Sequence, residues 1–330
     1  MSGINTQREF MEAVNGFRVS RAILSAIELE LFLHLGEGGT AEQVAARAGT
    51  DARATKLLLN ALAAIDVLNK EGDVFTPGSV VRESFQDPAR RGSGQRLMHT
   101  AHIYRRWMTL SDCVREGTSV PLKKEGKRND RELEAFIQAM QDTGSQRATD
   151  LVEAVGAAGI ERLLDAGGGP GAYSAAFCRA NPAIRATVLD LPEVVPLTRR
   201  HVEQMGLTDR IDTVAGDVTE GIPFSEEFDL VLLSNILHIF NHETGVTILR
   251  GLCGALKPGG RIAVQDFFTN DDGTEPVDAA LFALNMLVNT ECGGVFSFTE
   301  TKRMLVEAGF DGAEALELPG RGDLVIGWRS

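Results

Sequence analysis

Residues 163–173 read LLDAGGGPGAY, a short apolar strand that runs directly into a cluster of glycines. Glycine adopts the positive φ angles that tight turns require, and without a Cβ atom it lets a ligand approach the main chain closely. The next stretch, YSAAFCRAN, has the pattern of a helix, whose first N–H groups lack partners within the helix and can face a ligand. This order of strand, glycine loop and helix predicts a cofactor-binding loop at the start of an α/β domain.

The segments that follow alternate between apolar strands and helices. Strand patterns occur from residue 162 onward in LLDAG, ATVLDL, DTVAGD, DLVLLS, RIAVQDF and LVIGW. Such alternation predicts an α/β fold with a Rossmann-like, doubly wound, mostly parallel sheet. The second strand ends at Asp190, where a carboxylate can accept hydrogen bonds from both hydroxyls of a ribose.

Two cofactor classes fit the glycine loop. The spacing of Gly167, Gly169 and Ala172 satisfies the loose dinucleotide pattern, so the loop fits nicotinamide adenine dinucleotide (NAD). The spacing of Gly167, Gly169 and Gly171 after Asp165 fits S-adenosylmethionine (SAM) equally well. A glycine-rich turn that binds nothing is the third interpretation.

The residues after the later strands favour SAM. Gly216-Asp217-Val218 ends the third strand, where an acid can bond an adenine amino group and an apolar side chain can cover the ring. The fourth strand reads DLVLLSN over 229–235, and LKPGG over 256–260 is a turn into the fifth. This ordered series resembles class I SAM-dependent methyltransferases. Over residues 15–330 the chain resembles small-molecule O-methyltransferases of the caffeate and acetylserotonin type, which carry an N-terminal winged-helix dimerisation domain.

The resemblance implies SAM as the cofactor and assigns site residues. Those implied for cofactor binding are Asp165, Gly167, Gly169, Gly171, Asp190, Leu191, Gly216, Asp217, Val218, Ser234 and Asn235. Ser234 stands where plant relatives carry lysine. The resemblance also implies His238 as the general base that removes a proton from the acceptor, with Asp266 orienting its ring. Independently of the resemblance, His238 follows the fourth strand at the sheet edge where ligands bind, and imidazole ordinarily titrates near neutral pH. A structural histidine at the strand end is the alternative.

The sequence departs from the family pattern around this histidine. The stretch that contains His238 reads ILHIF, where the family has L-H-D-W. A second acid is expected just after Gly293-Gly294, but the sequence there reads VFSFT, and Glu291 is the nearby carboxylate that could replace it. An acceptor such as a thioether would need no deprotonation and hence no oriented base.

The acceptor pocket is predicted from apolar and amide side chains on helical segments. The residues expected to line it are Trp107, Phe136, Met140, Phe282, Asn285, Met286 and Asn289. The last four recur at helical spacing, so one face of ALFALNMLVN can point at the substrate. Core packing is the alternative for the apolar members, whereas Asn285 and Asn289 are less easily explained as core.

The first hundred residues read as short helices followed by a hairpin, VLNKEGDVFTP, that turns at Glu71-Gly72-Asp73. This order is typical of a winged helix, which often binds DNA. Acidic residues outnumber basic ones over 1–90, however, and the would-be recognition helix offers only Arg53 and Lys56. We therefore expect a helical winged-helix dimerisation domain over 1–118, a linker over 119–130 and a SAM-binding methyltransferase domain over 131–330.

Composition limits the environment and the partners. The 330 residues include 33 basic and 46 acidic side chains, a net charge of −13, which argues against nucleic acid as a partner. The first residues have no apolar signal region, and no apolar run approaches the ~18 residues that a membrane helix needs. The four cysteines and six histidines show no disulfide or metal-ligand spacing. We expect a cytoplasmic homodimer without a metal, a membrane or a nucleic-acid partner.

These observations favour one activity and leave others open. The favoured activity is SAM-dependent methyl transfer to a hydroxyl of a small, aromatic metabolite with His238 as the base. Methylation at sulfur or carbon, for instance of a thioether carboxylic acid, is the first alternative. A SAM-binding protein that transfers no methyl group and an NAD-dependent oxidoreductase are the others.

Overall fold

The computed structural model describes residues 3–86, 92–122, 130–316 and 323–330. The chain divides into two compact units, residues 1–105 and 106–330. Residues 106–118, which the sequence interpretation placed in the first domain, lie in the second unit. The physical reason is that the Trp107 indole donates to Asn285 and the Thr118 hydroxyl donates to the Glu291 carbonyl. Of the predicted linker, residues 123–129 lie outside the described ranges.

The first unit combines short helices with a small antiparallel sheet. Its helices are α1 (Gln7–Asn15), α2 (Phe17–Glu28), α3 (Leu31–Leu35), α4 (Ala41–Ala48), α5 (Ala52–Ala64), α6 (Ser79–Val81) and α7 (Gly92–Trp107), which continues to the start of the second unit. A single π-helical turn, Arg82–Gln86, follows α6. The strands are β1 (Gly39–Thr40), β2 (Leu68–Glu71) and β3 (Val74–Pro77), in the spatial order β1-β3-β2.

Local sequence signals set these elements. Thr40 and Gln43 form a capping box that starts α4, and Gly49 ends the helix in the left-handed conformation. The predicted hairpin is confirmed, because β2 pairs with β3 and Gly72 turns the chain at φ +58°. The sheet means that this unit is not built from helices alone. Its core includes the fully buried side chains of Leu59 and Phe75.

The second unit is a seven-stranded sheet with helices on both faces. Its helices are α8 (Leu110–Glu116), α9 (Asp130–Val155), α10 (Ala172–Ala180), α11 (Val195–Gln204), α12 (His242–Ala255), α13 (Val277–Asn289) and α14 (Phe298–Ala308). The strands are β4 (Arg162–Ala166), β5 (Arg185–Asp190), β6 (Ile211–Ala215), β7 (Phe228–Ser234), β8 (Leu256–Gln265), β9 (Gly312–Leu316) and β10 (Leu324–Trp328).

The sheet has the predicted Rossmann-like order with two antiparallel additions. The spatial order is β6-β5-β4-β7-β8-β10-β9. The first five strands run parallel, and β10 pairs antiparallel with both β8 and β9. The strand order reverses at β4, and in such sheets ligands bind at the carboxyl ends of the strands beside this reversal. The loops after β4 and β7 are therefore the place to look for a site.

Two hydrophobic cores cover the faces of this sheet. One joins β7 and β8 to α12 and α14, and the other joins β4 and β5 to α9 and α10. The central strands are apolar on both sides, as a sheet covered on both faces requires. In the described part of the chain, no helix combines the length and the hydrophobicity that crossing a membrane demands.

Candidate active site

The glycine loop after β4 has the geometry that its sequence predicts. Gly167, Gly169 and Gly171 adopt φ angles of +68°, +53° and +80°, which L-residues rarely adopt. The Gly167 N–H donates to the Leu189 carbonyl at 2.7 Å, so the loop is tied to the end of β5. A Cβ atom on Gly167 would lie 2.4 Å from Ile236 Cδ1, so the Ile236 side chain would have to shift to admit one.

A buried carboxyl lies directly beneath this loop. Asp165 has no solvent exposure, and one of its oxygens accepts a hydrogen bond from the Ser174 hydroxyl at 2.7 Å. The other oxygen, Oδ1, has no hydrogen-bond partner among the described residues. Burial raises the pKa of Asp165 to about 6. A Cβ atom on Gly168 would lie 2.5 Å from the carboxyl carbon, so this glycine is needed as well.

The acid at the end of β5 closes the other side of the loop. The Asp190 carboxylate accepts hydrogen bonds from the Gly169 N–H at 2.7 Å and from the Leu191 N–H at 2.8 Å. Burial raises the pKa of Asp190 above its ordinary value, against the opposing effect of these two N–H groups. Each oxygen keeps a second lone pair with which it can accept from a ligand hydroxyl.

The loop and the acid border a cavity of about 530 Å³, a volume in the range of small-molecule sites. Of the predicted residues, those that line it are Asp165, Gly167, Gly169, Asp190, Leu191, Ser234, Asn235, Phe136 and Met140. The charged side chains among its described lining residues are all acidic: Asp165, Asp190 and Glu193. An acidic cavity with an unpartnered buried oxygen suits a cationic ligand such as SAM and opposes the pyrophosphate of NAD.

Other predicted cofactor residues lie outside the lining. Gly171 caps the start of α10. The Gly216 N–H donates to the Asp190 carbonyl at 2.9 Å. The Asp217 carboxylate accepts from the Thr219 N–H and hydroxyl at 2.8 and 2.7 Å, and Val218 packs on the core beneath β7 and β8. Gly216 is thus tied to the end of β5, and none of these four residues is among those that line the cavity.

Ser234 and Asn235 form a polar corner of the cavity at the end of β7. The Ser234 hydroxyl donates to Gln265 Oε1 at 2.7 Å, and the Asn235 amide donates to Ser234 Oγ at 3.1 Å. Asn235 itself has a left-handed backbone at φ +57°, an unfavourable conformation that often occurs at functional sites. Tyr173 also lines the cavity, and burial raises the pKa of its hydroxyl.

The predicted catalytic pair is assembled immediately after this corner. His238 lies on a single 3₁₀ turn, Leu237–Ile239, whose last residue lines the cavity. Its ring Nδ1 lies 2.5 Å from Asp266 Oδ1, and its backbone N–H donates to Asp266 Oδ2 at 3.2 Å. Both side chains are nearly buried. Because Nδ1 contacts Asp266, Nε2 is the ring nitrogen that remains for the substrate that accepts the methyl group.

Aromatic side chains surround the pair. The ring of Phe282 stands edge-on to His238 with 4.9 Å between centroids, and it stacks on Phe267 at 3.9 Å. The Phe267 N–H also donates to Asp266 Oδ1 at 2.8 Å. These rings keep apolar surface beside the imidazole and limit its contact with water.

The predicted acceptor residues of α13 fall into two kinds. Met286 is buried, so it is also part of the packing of this helix. Asn285 and Asn289 are half-buried and hydrogen-bonded to each other, and Asn285 also accepts from Trp107. Phe136 and Met140, in contrast, project from α9 into the cavity by the glycine loop. The structure therefore places the seven predicted residues in two groups rather than in one pocket.

The expected substitute for the second acid is not in place. The side chain of Glu291 is exposed, and only its carbonyl makes a described hydrogen bond, with Thr118. The Gly294 N–H donates to the His238 carbonyl at 2.9 Å, and a Cβ atom on Gly293 would meet that carbonyl at 2.5 Å. Gly293 and Gly294 thus support the histidine turn through the backbone, and Asp266 is the acid that contacts the ring.

Several lining residues were not predicted from the sequence. Gly144 and Thr143 reach the cavity from α9, Tyr173 reaches it from α10, and Ile236 and Ile239 reach it from the segment after β7. Gly144 packs so closely that a Cβ atom on it would lie 3.0 Å from the Ala172 Cβ. The separation along the chain hides this contact, although the spacing of small residues on α9 is a weak signal of close helix packing.

Two family models match the chain. The O-methyltransferase domain matches residues 107–311, and the O-methyltransferase dimerisation domain matches residues 11–82. The first match begins near the start of the second compact unit.

Individual relatives agree with these matches. The chain is 30% identical to a 3-hydroxy-5-methyl-1-naphthoate 3-O-methyltransferase of Streptomyces sahachiroi, over 96% of this chain and 93% of that protein. It is 29% identical to an L-tyrosine C(3)-methyltransferase of Streptomyces lavendulae, over 90% of this chain and 85% of that protein. The solved structure of PigF with SAH matches with a TM-score of 0.88 at 27% identity, over 98% of this chain and 100% of that chain. PigF is a SAM-dependent methyl transferase of Serratia sp. (strain ATCC 39006).

Proposed function

We propose that this chain, which belongs to the O-methyltransferase family, methylates a hydroxyl of a small aromatic metabolite with His238 as the general base. It is a SAM-dependent methyltransferase, so the choice between SAM and NAD that the glycine loop left open is decided in favour of SAM. The observation that carries the proposed mechanism is the short contact between His238 and Asp266 beside stacked phenylalanines.

The residues of the cavity fit the cofactor. Asp190 offers acceptor lone pairs for ribose hydroxyls, and the glycine loop gives the amino-acid end access to backbone N–H groups. The unpartnered Oδ1 of Asp165 suits a cationic group. Asp217 and Val218 would serve the adenine end, as the resemblance implies. Bound SAM supplies a methyl group that is already activated by a positively charged sulfur.

The protein must then activate and hold the acceptor. Asp266 accepts the Nδ1 proton of His238, which fixes the ring and leaves the lone pair on Nε2 free to take the hydroxyl proton. The same carboxylate stabilises the imidazolium that forms. Phe267 and Phe282 place an aromatic ring against this base and exclude water, so that the alignment of the reacting atoms is retained.

A relative supports a second candidate reaction, methylation at carbon. The L-tyrosine C(3)-methyltransferase is named for methylation at a carbon, and a ring carbon next to a phenol becomes nucleophilic when that phenol loses its proton. The same His238 and Asp266 pair would then be required, and only the position of the ring would differ. Methylation of a thioether, which needs no base, would leave this pair without a use.

The oligomer and the compartment belong to the same proposal. The dimerisation-domain match and the exposed apolar residues of α1, such as Phe10 and Val14, support a homodimer formed through the first unit. We propose that the enzyme acts in the cytoplasm, because all four cysteines are free thiols.

The base is tested with phenols of graded acidity. We expect His238→Gln to lower kcat for weakly acidic phenols by roughly 10²-fold or more, while the affinity for S-adenosylhomocysteine (SAH) stays near wild type. The loss should shrink for phenols that are already ionised at the assay pH, because they need no base. Asp266→Asn should show a smaller loss with the same dependence on acidity. A loss that is equal for all phenols, or none, would contradict the role of His238.

A further inference from the structure

A second, smaller cavity adjoins the acid that contacts the base. Its volume is about 30 Å³, and its lining includes Asp266 and Phe267, which flank His238. Asn235 lines both this cavity and the larger one, so the two spaces adjoin at that residue. One buried water needs about 10–15 Å³, so the smaller cavity has room for roughly two waters or for the two oxygens of one carboxylate.

The charged side chains of this smaller cavity are engaged within the chain, with one exception. Asp266 is bonded to His238, and Asp278 and Asp323 each have an interaction partner. Arg147 lines the same cavity and is half-buried. Within the described part of the chain, its guanidinium makes neither a hydrogen bond nor an ion pair. Arginine is rarely withdrawn from water without a partner, so its N–H donors are available to a ligand.

Arg147 also lies beside the larger cavity. It follows Thr143 and Gly144 by one turn of α9, and both of these residues line that cavity. Burial raises the pKa of the Tyr173 hydroxyl, and the charge of Arg147 acts in the opposite direction, so the guanidinium lies close to this lining residue. A ligand in either cavity can therefore reach Arg147.

The larger cavity has no positive charge for the carboxylate of a ligand. The charged side chains among its described lining residues are Asp165, Asp190 and Glu193, which are all acidic. SAM ends in an ammonium group and a carboxylate. The unpartnered Oδ1 of Asp165 suits the ammonium group, whereas the acids repel the carboxylate. Arg147 is the one basic side chain among the described residues that line either cavity.

We propose that Arg147 is a carboxylate-binding residue, a role that the family resemblance does not assign to it. The planar guanidinium can hold a carboxylate by two parallel N–H···O bonds. The carboxylate belongs either to the amino-acid end of the cofactor or to an aromatic acceptor that reaches the smaller cavity beside Asp266. Only the second source rests on the proposed function, because the dependence on SAM does not require a particular acceptor.

Calorimetry with three cofactor analogues tests the first source. SAH carries the carboxylate, decarboxylated SAH lacks that group alone, and 5′-methylthioadenosine lacks the whole amino-acid end. If the cofactor meets Arg147, we expect Arg147→Met to weaken SAH binding by about tenfold or more and to leave the other two affinities near wild type. Arg147→Lys should recover part of the SAH affinity, because it keeps the charge.

Paired acceptors test the second source. Hydroxynaphthoates and the naphthols that lack their carboxylate are titrated into protein saturated with SAH, which requires no turnover. If the acceptor meets Arg147, we expect Arg147→Met to weaken the binding of hydroxynaphthoates by about tenfold or more and to leave that of naphthols unchanged. Arg147→Gln provides the same comparisons with a polar side chain should Arg147→Met fail to fold.

The matched control is Arg303→Met, because Arg303 is an exposed arginine on α14 that lines neither cavity. It should change none of these affinities. A loss confined to probes that carry a carboxylate supports the assignment, and the affected probe identifies the source. Equal losses for probes with and without a carboxylate, or no loss for any probe, would overturn it. If SAH binding depends on Arg147 but no phenol is methylated, the proposed function fails while the role of Arg147 stands.

Discussion

At the scale of single residues, the buried carboxyl group of Asp165 is the clearest unfavourable feature of the ligand-free cavity. Its carboxyl group has no solvent exposure, one oxygen lacks a partner, and Gly168 packs directly on it. In the absence of a ligand, ionising this group is unfavourable because neither solvent nor a described cation stabilises the charge. A cationic ligand in the cavity would stabilise the ionised carboxylate. The carboxylate would in turn increase the affinity for that ligand.

The pH dependence of stability tests this description of Asp165. Its folded-state pKa of about 6 lies above the ordinary 3.8, so its stabilising contribution is present at low pH and is lost as pH rises through 6. Asp165→Asn has no such titration. Between pH 5 and pH 8, we expect the wild-type protein to lose on the order of 1 kcal/mol of its free energy of unfolding relative to the variant. Urea denaturation of ligand-free protein measures it, and a difference independent of pH would contradict the burial argument.

At the scale of elements, the glycine loop depends on both backbone angle and space. Gly167 and Gly206 share a φ of +68°, but a Cβ atom would strike Ile236 at the first position and nothing within 4 Å at the second. Alanine variants at these two positions share the backbone strain, and only the variant at Gly167 adds a steric conflict.

We expect both Gly167→Ala and Gly206→Ala to lose about 1–2 kcal/mol of stability from the left-handed conformation. Only Gly167→Ala should also weaken SAH binding, by at least about tenfold, because Ile236 and the loop that line the cavity must shift. Thermal unfolding and calorimetry provide the two values. Equal SAH affinity in the two variants would show that the loop tolerates a side chain.

Much of this architecture was predictable from local patterns. The strand and glycine run of 163–173 gave the loop, the alternation of strands and helices gave the parallel sheet, and VLNKEGDVFTP gave the hairpin. These features depend on periodicity and turn chemistry, which act over a few residues. The pairing of His238 with Asp266 followed from the family resemblance, because no local rule joins residues that follow two different strands.

What the sequence could not provide depends on contacts between distant segments. Strand β1, with two residues, is too short to show a strand pattern, and no pattern around Glu291 shows that its side chain is exposed. The grouping of Trp107 with Asn285, and of Met140 with the glycine loop, likewise depends on how helices pack. Residue spacing along one helix cannot tell whether its face lines the cavity or packs against another helix.

At the scale of the whole molecule, the apolar side chains of helix α1 are left exposed in the single chain. Helix α1 has no buried residue, although it carries Phe10, Met11 and Val14. A helix with an apolar face is stable in a protein only when that face is covered. The match of residues 11–82 to a dimerisation domain suits a second copy of this chain as the cover.

We expect Phe10→Asp combined with Val14→Asp to convert the dimer to a monomer in light scattering at micromolar concentration. The two residues are 56% and 52% exposed in the chain alone, so charge there should not disturb the folded unit. Val306→Asp, at 56% exposure on α14, is the matched control and should leave the dimer intact. A wild-type monomer, or a double variant that stays dimeric, would refute this assignment of the interface.

The central claim, that the enzyme methylates an aromatic hydroxyl, is tested most directly by following a labelled methyl group. The purified protein is incubated with SAM carrying a trideuterated methyl group and with a panel of phenols, and each product is located by mass spectrometry and NMR. We predict the label on a phenolic oxygen, with one SAH formed for each methyl transferred. Label on carbon or sulfur only, or phenols left unlabelled while no SAH accumulates, would contradict the account.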